Sequence, residues 1–236
     1  MQLVIGNKNY SSWSMRPWVL LKAFDIPFSE RKLRFDFTPG SSFYRAMAEL
    51  TPAAKVPVLL LDGEDDGFAV WDSLAIAETI ADRHPELAIW PRDARQRARA
   101  RSLCAEMHAG FGGLRSLCPM NVEADLSAVG ERLLASEPKL RADLARMQAA
   151  WEEALAASGG PFLFGAFSAA DAYFAPVVMR VTRYGLPMSE PCQRYLAAMQ
   201  AHPAVAAWVA DALAEQDFIA DDEPYRVSGG PKGQLR

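Results

Sequence analysis

The segment Tyr10-Ser11-Ser12-Trp13-Ser14-Met15-Arg16-Pro17 sets two adjacent hydroxyls ahead of a helical stretch. Proline lacks an N–H and its ring clashes with the carbonyl four residues back, so Pro17 fits a first helical turn and puts the helix start near Trp13 or Ser14. Ser11 and Ser12 then precede a helix N-terminus, where unpaired N–H groups and the positive end of the dipole converge. A hydroxyl there can hold an anion such as a thiolate, or simply cap the helix. In Lys55-Val56-Pro57-Val58 a proline stands immediately before a strand; a cis bond ahead of Pro57 turns the Val56 backbone outward and opens its N–H and C=O to a peptide-like ligand. Trp71-Asp72-Ser73-Leu74 opens a further helix with an acid and a hydroxyl. Such a pair can take an ammonium on Asp72 and a carboxylate on Ser73 and neighbouring N–H groups, the two halves of an α-amino-acid headgroup, or again act as a cap.

The elements that must hold these three sites are legible around them. Leu3-Val4-Ile5 reads as a minimal strand, Ser14 to Phe24 as a helix with Trp18, Val19 and Leu21 on one face, and Phe28 to Phe35 as a second strand. After a short helix, Val58 to Leu61 and Phe68 to Trp71 flank the turn residues Asp62-Gly63-Glu64-Asp65-Asp66-Gly67 as a hairpin, and helical spacing returns from Asp72 to Arg83. Strand signals stop there. Pro85 and Pro91 mark a linker at 83–92, and one long helix is expected from Asp93 to Leu117, ahead of Pro119. Helices at 123–135, 138–157, 169–184, 189–200 and 203–215 make everything after residue 92 helical, with a loose tail over 221–236 containing Ser228-Gly229-Gly230-Pro231.

Composition narrows the function classes. Half of the 236 residues are hydrophobic, enough for two small domains each with its own core. With 25 Lys+Arg against 29 Asp+Glu, the net charge of -4 leaves no basic surplus for phosphates, so no nucleic-acid partner is expected. The five arginines at 92, 95, 97, 99 and 101 read as a solvated or dimer-contact face. The N-terminus has no basic leader, and no apolar run approaches the roughly 18 residues of a membrane span. A cytoplasmic protein without a membrane partner is expected. Cys104, Cys118 and Cys192 show no metal-ligand or redox spacing and read as buried, reduced thiols; no metal site is expected.

Taken in order, these motifs resemble the cytosolic glutathione S-transferase family in its bacterial form. The resemblance covers nearly the whole chain and is carried by Ser-Ser-Trp-Ser-Met-Arg at 11–16, Lys-Val-Pro-Val at 55–58, Asp-Ser-Leu-Ala-Ile at 72–76 and Phe-Ser-Ala-Ala-Asp at 167–171. In the last of these Ser168 and Asp171 form a capping box with Asp in place of Glu. The serine-first stretch is most similar to the zeta class, with Trp13 standing where that motif has a cysteine, which weakens a maleylacetoacetate-isomerase reading. The absence of cysteine from residues 1–103 argues against thiol–disulfide exchange.

What the resemblance implies is an α/β plus all-α chain: a thioredoxin-like, glutathione-binding domain over 1–83 and an all-helical domain over 93–220. It implies a homodimer with a role in detoxification, and a transferase of alkyl or aryl groups that activates the glutathione thiol for attack on a small hydrophobic electrophile. Glutathione is then a co-substrate and no other cofactor is required. The alternatives are a glutathione-dependent isomerase or a non-enzymatic binding module. Ser11 is the expected thiol-activating residue, with Ser12 beside it; Trp13, Lys55, Val56, Pro57, Asp72 and Ser73 are the expected glutathione contacts. On the long helix, Met107, His108, Phe111 and Arg115 are candidates for the electrophile pocket, His108 and Arg115 for steering an anionic one, while Met107 and Phe111 have equally the spacing of core residues. The clustering of Gly110, Gly112 and Gly113 points to a bend there.

Overall fold

A computed structural model describes residues 1–63, 66–230 and 233–235. Part of the expected hairpin turn, Glu64 and Asp65, and part of the tail, Pro231, Lys232 and Arg236, lie outside the described residues. The N-terminal half runs β1 (Gln2–Ile5), α1 (Ser12–Ala23), β2 (Ser29–Lys32), α2 (Ser42–Leu50), β3 (Val58–Leu60), β4 (Ala69–Val70) and α3 (Ser73–Arg83). The strands form one sheet in the order β2-β1-β3-β4, with β1 parallel to β2 and antiparallel to β3. The parallel pair requires a crossover, which α1 supplies. Successive side chains of a strand point to opposite faces. Thus Leu3 and Ile5 enter the main core with residues of α1 and α3, whereas Val4 packs on the other face with Phe43 and Met47 of α2. This is the three-layer arrangement of a thioredoxin-like domain.

The second half consists of α4 (Ala94–Ala109), α5 (Gly112–Leu117), α6 (Ser127–Ser136), α7 (Pro138–Ser158), α8 (Ala169–Arg183), α9 (Glu190–Ala201) and α10 (Pro203–Glu215), then a 3-10 turn at Ala220–Asp222. It is not helical throughout: isolated bridges join Phe162 to Gly165 and Phe164 to Ala166 just before α8. None of the described helices is long and apolar enough to cross a membrane. The cysteines are free and buried. Burial pushes the Cys118 thiol up to about 12 and raises that of Cys104, so neither supplies a thiolate near neutral pH.

Two expectations about helices need correction. The helix foreseen over 93–117 is broken: Phe111 takes a left-handed φ of 54°, Gly110 ends α4 and α5 starts afresh. Close packing against α7 requires the break. A Cβ on Gly113 would lie 2.8 Å from Lys139 Cγ, and Asp143 of α7 accepts the Leu114 N–H at 2.9 Å, satisfying a donor of the new N-terminus. Second, α1 begins at Ser12, so Pro17 sits inside the helix rather than in its first turn. Pro17 deprives the Trp13 carbonyl of its helical donor. Packing offsets that loss, because α1 lies against α8 and α10 as well as the sheet and is buried from Ser14 to Leu21 on every side.

The tail is likewise not loose over its described first part. Glu223 and Arg226 are fully buried, Arg226 Nε donates to Glu223 at 2.9 Å and Arg226 Nη2 to Glu123 at 3.1 Å. Four of the five arginines at the start of α4 have partners within the chain. Arg101 forks onto Glu78, Arg99 pairs with Glu153, and Arg92 and Arg97 donate to backbone carbonyls.

The connection into the helical half rests on the Ser168/Asp171 capping box. Asp171 is wholly buried and accepts from the N–H of Ser168 (2.9 Å) and of Leu163 (3.1 Å), while the Ala169 N–H holds the Ile89 carbonyl of the preceding connector at 2.7 Å. Burial raises the Asp171 carboxyl from 3.8 to about 6 against these hydrogen bonds. The native state therefore binds a proton that the unfolded chain releases, so the cost of burying the charge is full above pH 6 and vanishes below about pH 4. Asp171→Ala should lose about 3 kcal/mol of unfolding free energy in urea at pH 7, since it orphans two buried N–H groups. Between pH 7 and 4, wild type should gain up to about 3 kcal/mol relative to Asp171→Asn, which does not titrate.

Candidate functional site

The loop from Gly6 to Ser11 is pinned to both halves of the molecule. The Asn7 side chain accepts the Phe35 N–H at 2.8 Å, and Asn9 Oδ1 accepts the N–H groups of Val122 and Glu123 at 2.8 and 2.9 Å. A Cβ on Gly6 would overlap the Phe35 ring, so only glycine lets the loop pass this close. The loop delivers Ser11 as the α1 N-cap, yet Ser11 makes no capping bond: its hydroxyl donates to Ser14 Oγ at 2.7 Å, which also accepts the Gly6 N–H at 3.2 Å. Plain capping is therefore not what this serine does. The Ser12 hydroxyl, at the first helical position, has no partner among the described residues, and the early N–H groups of α1, Trp13 and Ser14, lack intrahelical acceptors.

That uncapped end opens on two adjoining clefts. One, of about 420 Å³, is lined by Ser11, Ser12, Trp13, Lys55, Val56 and Arg115 together with Phe35, Phe37, Phe43, Tyr44, Met120, Arg180 and Asp222. The other, of about 570 Å³, is lined by Trp13, Lys55, Val56, Pro57, Trp71, Asp72, His108 and Arg115. They meet at Trp13, Lys55, Val56 and Arg115. The Val56–Pro57 bond is cis, as is Trp71–Asp72, and the Val56 backbone forms no backbone hydrogen bond among the described residues.

Beneath the second cleft Tyr173 of α8 acts as a hub. Its hydroxyl lies 3.2 Å from Ser73 Oγ and 2.6 Å from His108 Nδ1, and its ring stacks on the Arg16 guanidinium at 4.0 Å. Burial raises the phenol's pKa, keeping its proton on. His108 Nε2 reaches Asp72 Oδ2 at 3.1 Å, and Asp72 also caps α3 through the Leu74 N–H at 3.1 Å. The sheet domain and the helical half are thus tied together at the acid that opens α3.

The structure brings together Ser11, Ser12, Trp13, Lys55, Val56, Pro57, Asp72, His108 and Arg115. It does not bring in three other candidates. Ser73 is fully buried with its hydroxyl on Tyr173, and Met107 and Phe111 are buried in the main core, lining neither cleft. Their spacing on α4 and α5 is the core spacing, and the break at Phe111 turns that ring inward. The aromatic wall, Arg180, Tyr173 and Asp222 were missed by sequence reasoning. Four aromatics within residues 35–44, beside Pro39 and Gly40, are the one signal that pointed at the wall. Arg180 and Tyr173 sit within an otherwise apolar helix and carry no such mark.

The family models for the glutathione S-transferase N-terminal and C-terminal domains match residues 10–83 and 95–211. The chain belongs to the glutathione S-transferase family. It is 30% identical over 106 residues to a protein named probable maleylacetoacetate isomerase from Caenorhabditis elegans, an alignment that spans 45% of each chain. Among solved structures it resembles a maleylacetoacetate isomerase from Anaeromyxobacter dehalogenans with bound glutathione at 27% identity, with a TM-score of 0.62 over 88% of this chain and 94% of that one. It shares the fold of a glutathione transferase homologue from Burkholderia, also with bound glutathione, at 24% identity and a TM-score of 0.63 over 89% and 97%.

The cleft wall depends on the tail. Glu223 accepts from the Tyr10 hydroxyl at 2.8 Å and from Asn121 Nδ2 at 2.9 Å, besides Arg226, so one buried carboxylate fixes Tyr10, the 3-10 turn bearing Asp222 and the segment before α6. Removing one member of a buried ion pair typically costs about 3–5 kcal/mol. Glu223→Ala is expected to lose stability on that scale and to speed proteolysis beyond residue 219 at least tenfold, measured by limited digestion under native conditions.

Proposed function

We propose that this chain is a glutathione-dependent transferase that ionises the glutathione thiol at the N-terminus of α1 and presents it to an electrophile in the aromatic cleft. One observation carries the reading: α1 starts without a side-chain cap, and among the described residues the Ser12 hydroxyl and two early N–H groups have no partner beside a cleft edged by Val56. In this reading the Val56 N–H and C=O pair with the cysteinyl residue of glutathione. Asp72, steadied by His108, takes the γ-glutamyl ammonium, and Lys55 takes the glycyl carboxylate. The headgroup carboxylate falls to N–H groups at the start of α3, since Ser73 is committed to Tyr173.

A free thiol titrates near 8.5, so only a few per cent is nucleophilic at neutral pH. Lowering that value by two units takes about 2.7 kcal/mol of preference for the thiolate. One charge-assisted hydrogen bond and a helix terminus together reach this range. The Ser11 proton is occupied by Ser14, so the hydroxyl best placed to donate to sulfur is that of Ser12, with Ser11 and Ser14 fixing the loop. Conjugation then proceeds by attack of the thiolate on the electrophile. A glutathione-dependent isomerisation, supported by the relatives named as maleylacetoacetate isomerases, uses the same thiolate with later release of glutathione. A homodimer and a cytoplasmic detoxifying role belong to the same proposal.

The test is a pH–rate profile for conjugation by Ser11→Ala and Ser12→Ala. Ser12→Ala should move the acidic limb up by one to two units, slow turnover about 10- to 100-fold at neutral pH and recover at high pH, with binding of glutathione nearly intact. Ser11→Ala should move it less. Unshifted profiles for both variants would remove the serines from thiol activation.

A further inference from the structure

The aromatic cleft holds positive charge that the chain does not neutralise. Several well-exposed arginines of this acidic protein have a carboxylate partner, as Arg34 has Asp217, Arg101 has Glu78, Arg146 has Glu106 and Arg194 has Glu190, while others are left to backbone carbonyls and solvent. Arg115 and Arg180, in the cleft wall, have none among the described residues. Arg115 donates only to the carbonyls of His108 and Gly110, and its guanidinium lies 5.0 Å from the centre of the Trp13 ring. Arg180 is about nineteen-twentieths buried; its Nε donates to the Cys118 carbonyl at 2.8 Å, Nη1 to the Pro176 carbonyl at 3.4 Å, and Nη2 has no partner among the described residues. Behind them Arg16, held between Trp13 and Tyr173, also lacks a carboxylate, and its Nε and Nη1 have no hydrogen-bond partner.

Burying a guanidinium without a counter-ion is costly, and three in mutual proximity repel one another. Burial brings Arg16 and Arg180 down to about 10, with Arg115 adding to the fall in both. Asp222 lines the same cleft but forms no ion pair with either arginine. Burial, with Asp221 and Glu223 beside it, pushes it up to about 6. The remaining charged group of the wall is Lys55, at the far edge with Val56.

We infer that the electrophile taken by this cleft is an aromatic carboxylate, its carboxylate forked by Arg115 and Arg180 and its ring packed against Phe37, Tyr44 and Met120. Planar guanidinium groups match a carboxylate in pairs of parallel hydrogen bonds, and an anion placed here relieves the repulsion among the guanidinium groups. The inference rests on the transferase reading for its chemistry: the glutathione sulfur bonds to an activated ring carbon, the bond from that carbon to its leaving group breaks, and the leaving anion departs to solvent. The small hydrophobic electrophile expected from sequence thereby becomes an amphipathic one.

The test compares 4-chloro-3-nitrobenzoate with its primary amide, which has the same ring and no charge. KM and calorimetric dissociation constants for both are measured on wild type, Arg180→Gln, Arg115→Gln and the charge-keeping Arg180→Lys, with glutathione titrated separately. Wild type should prefer the carboxylate at least about tenfold, and either Gln variant should abolish that preference while leaving glutathione affinity within about twofold; Arg180→Lys should retain part of it. Equal constants for acid and amide on wild type would overturn the inference and leave the transferase reading standing, and that comparison needs no variant to fold. Loss of glutathione affinity in place of probe affinity would assign the arginines to glutathione and equally overturn it. Arginine-dependent binding of the acid with no conjugation of either compound would keep the carboxylate site and defeat the transferase reading.

Discussion

The structure depends on the burial of α1 between the sheet and the helices α8 and α10. A helix with one apolar stripe can face water on the other side, but this one is enclosed from Ser14 to Leu21, and residues as different as Trp18, Arg16 and Pro17 all lie inside. Enclosure tolerates Pro17, whose missing hydrogen bond would break an isolated helix. It also fixes the helix N-terminus at the junction of the two halves, where its unpaired N–H groups face the clefts. Asn7 and Asn9, by bonding to backbone on opposite sides, keep the approach loop in that position.

Burial of α1 brings Arg16 with it, and the neighbourhood of Arg16 shapes the rest of the site. Trp13 and Tyr173 sandwich the guanidinium, a favourable arrangement for a cation deprived of water. Tyr173 in turn holds Ser73 and His108, and His108 holds Asp72, so the α1 core and the start of α3 are linked through one phenol of the helical half. On the other side Tyr10, Asn121 and Arg226 converge on Glu223, which ties the tail to the loop that carries the serines. The clefts are thus walled by elements from both halves, each held by a buried polar group with named partners.

Much of this was legible in the sequence because local chemistry specified it. The strand β1, the hairpin strands, the capping box at Ser168 and Asp171, and the helix that Asp72 caps follow from short-range patterns of period, turn and cap. What escaped the sequence depends on tertiary contact. Pro17 inside α1 needs the packing of α8 and α10 to be tolerated, and the bend that Gly110, Gly112 and Gly113 signalled is a full break at Phe111, because Asp143 of α7 caps the new helix and Gly113 leaves the gap. The tail looked loose because Ser228, Gly229 and Gly230 dominate its composition, whereas Glu223 and Arg226 anchor it through partners about a hundred residues away. Ser73 has the residue type of a ligand contact, and only the position of Tyr173 shows that its hydroxyl is already used.

In the proposed chemistry the N-terminus of α1 and its serine hydroxyl stabilise a thiolate. The most direct measurement is ultraviolet difference titration of glutathione bound to the wild-type protein, following thiolate absorbance from pH 5 to 10 against the free tripeptide. The expected ionisation midpoint lies about two units below that of the free thiol, at about 6.5. A bound thiol that titrates with the free one, at about 8.5 or above, would contradict it.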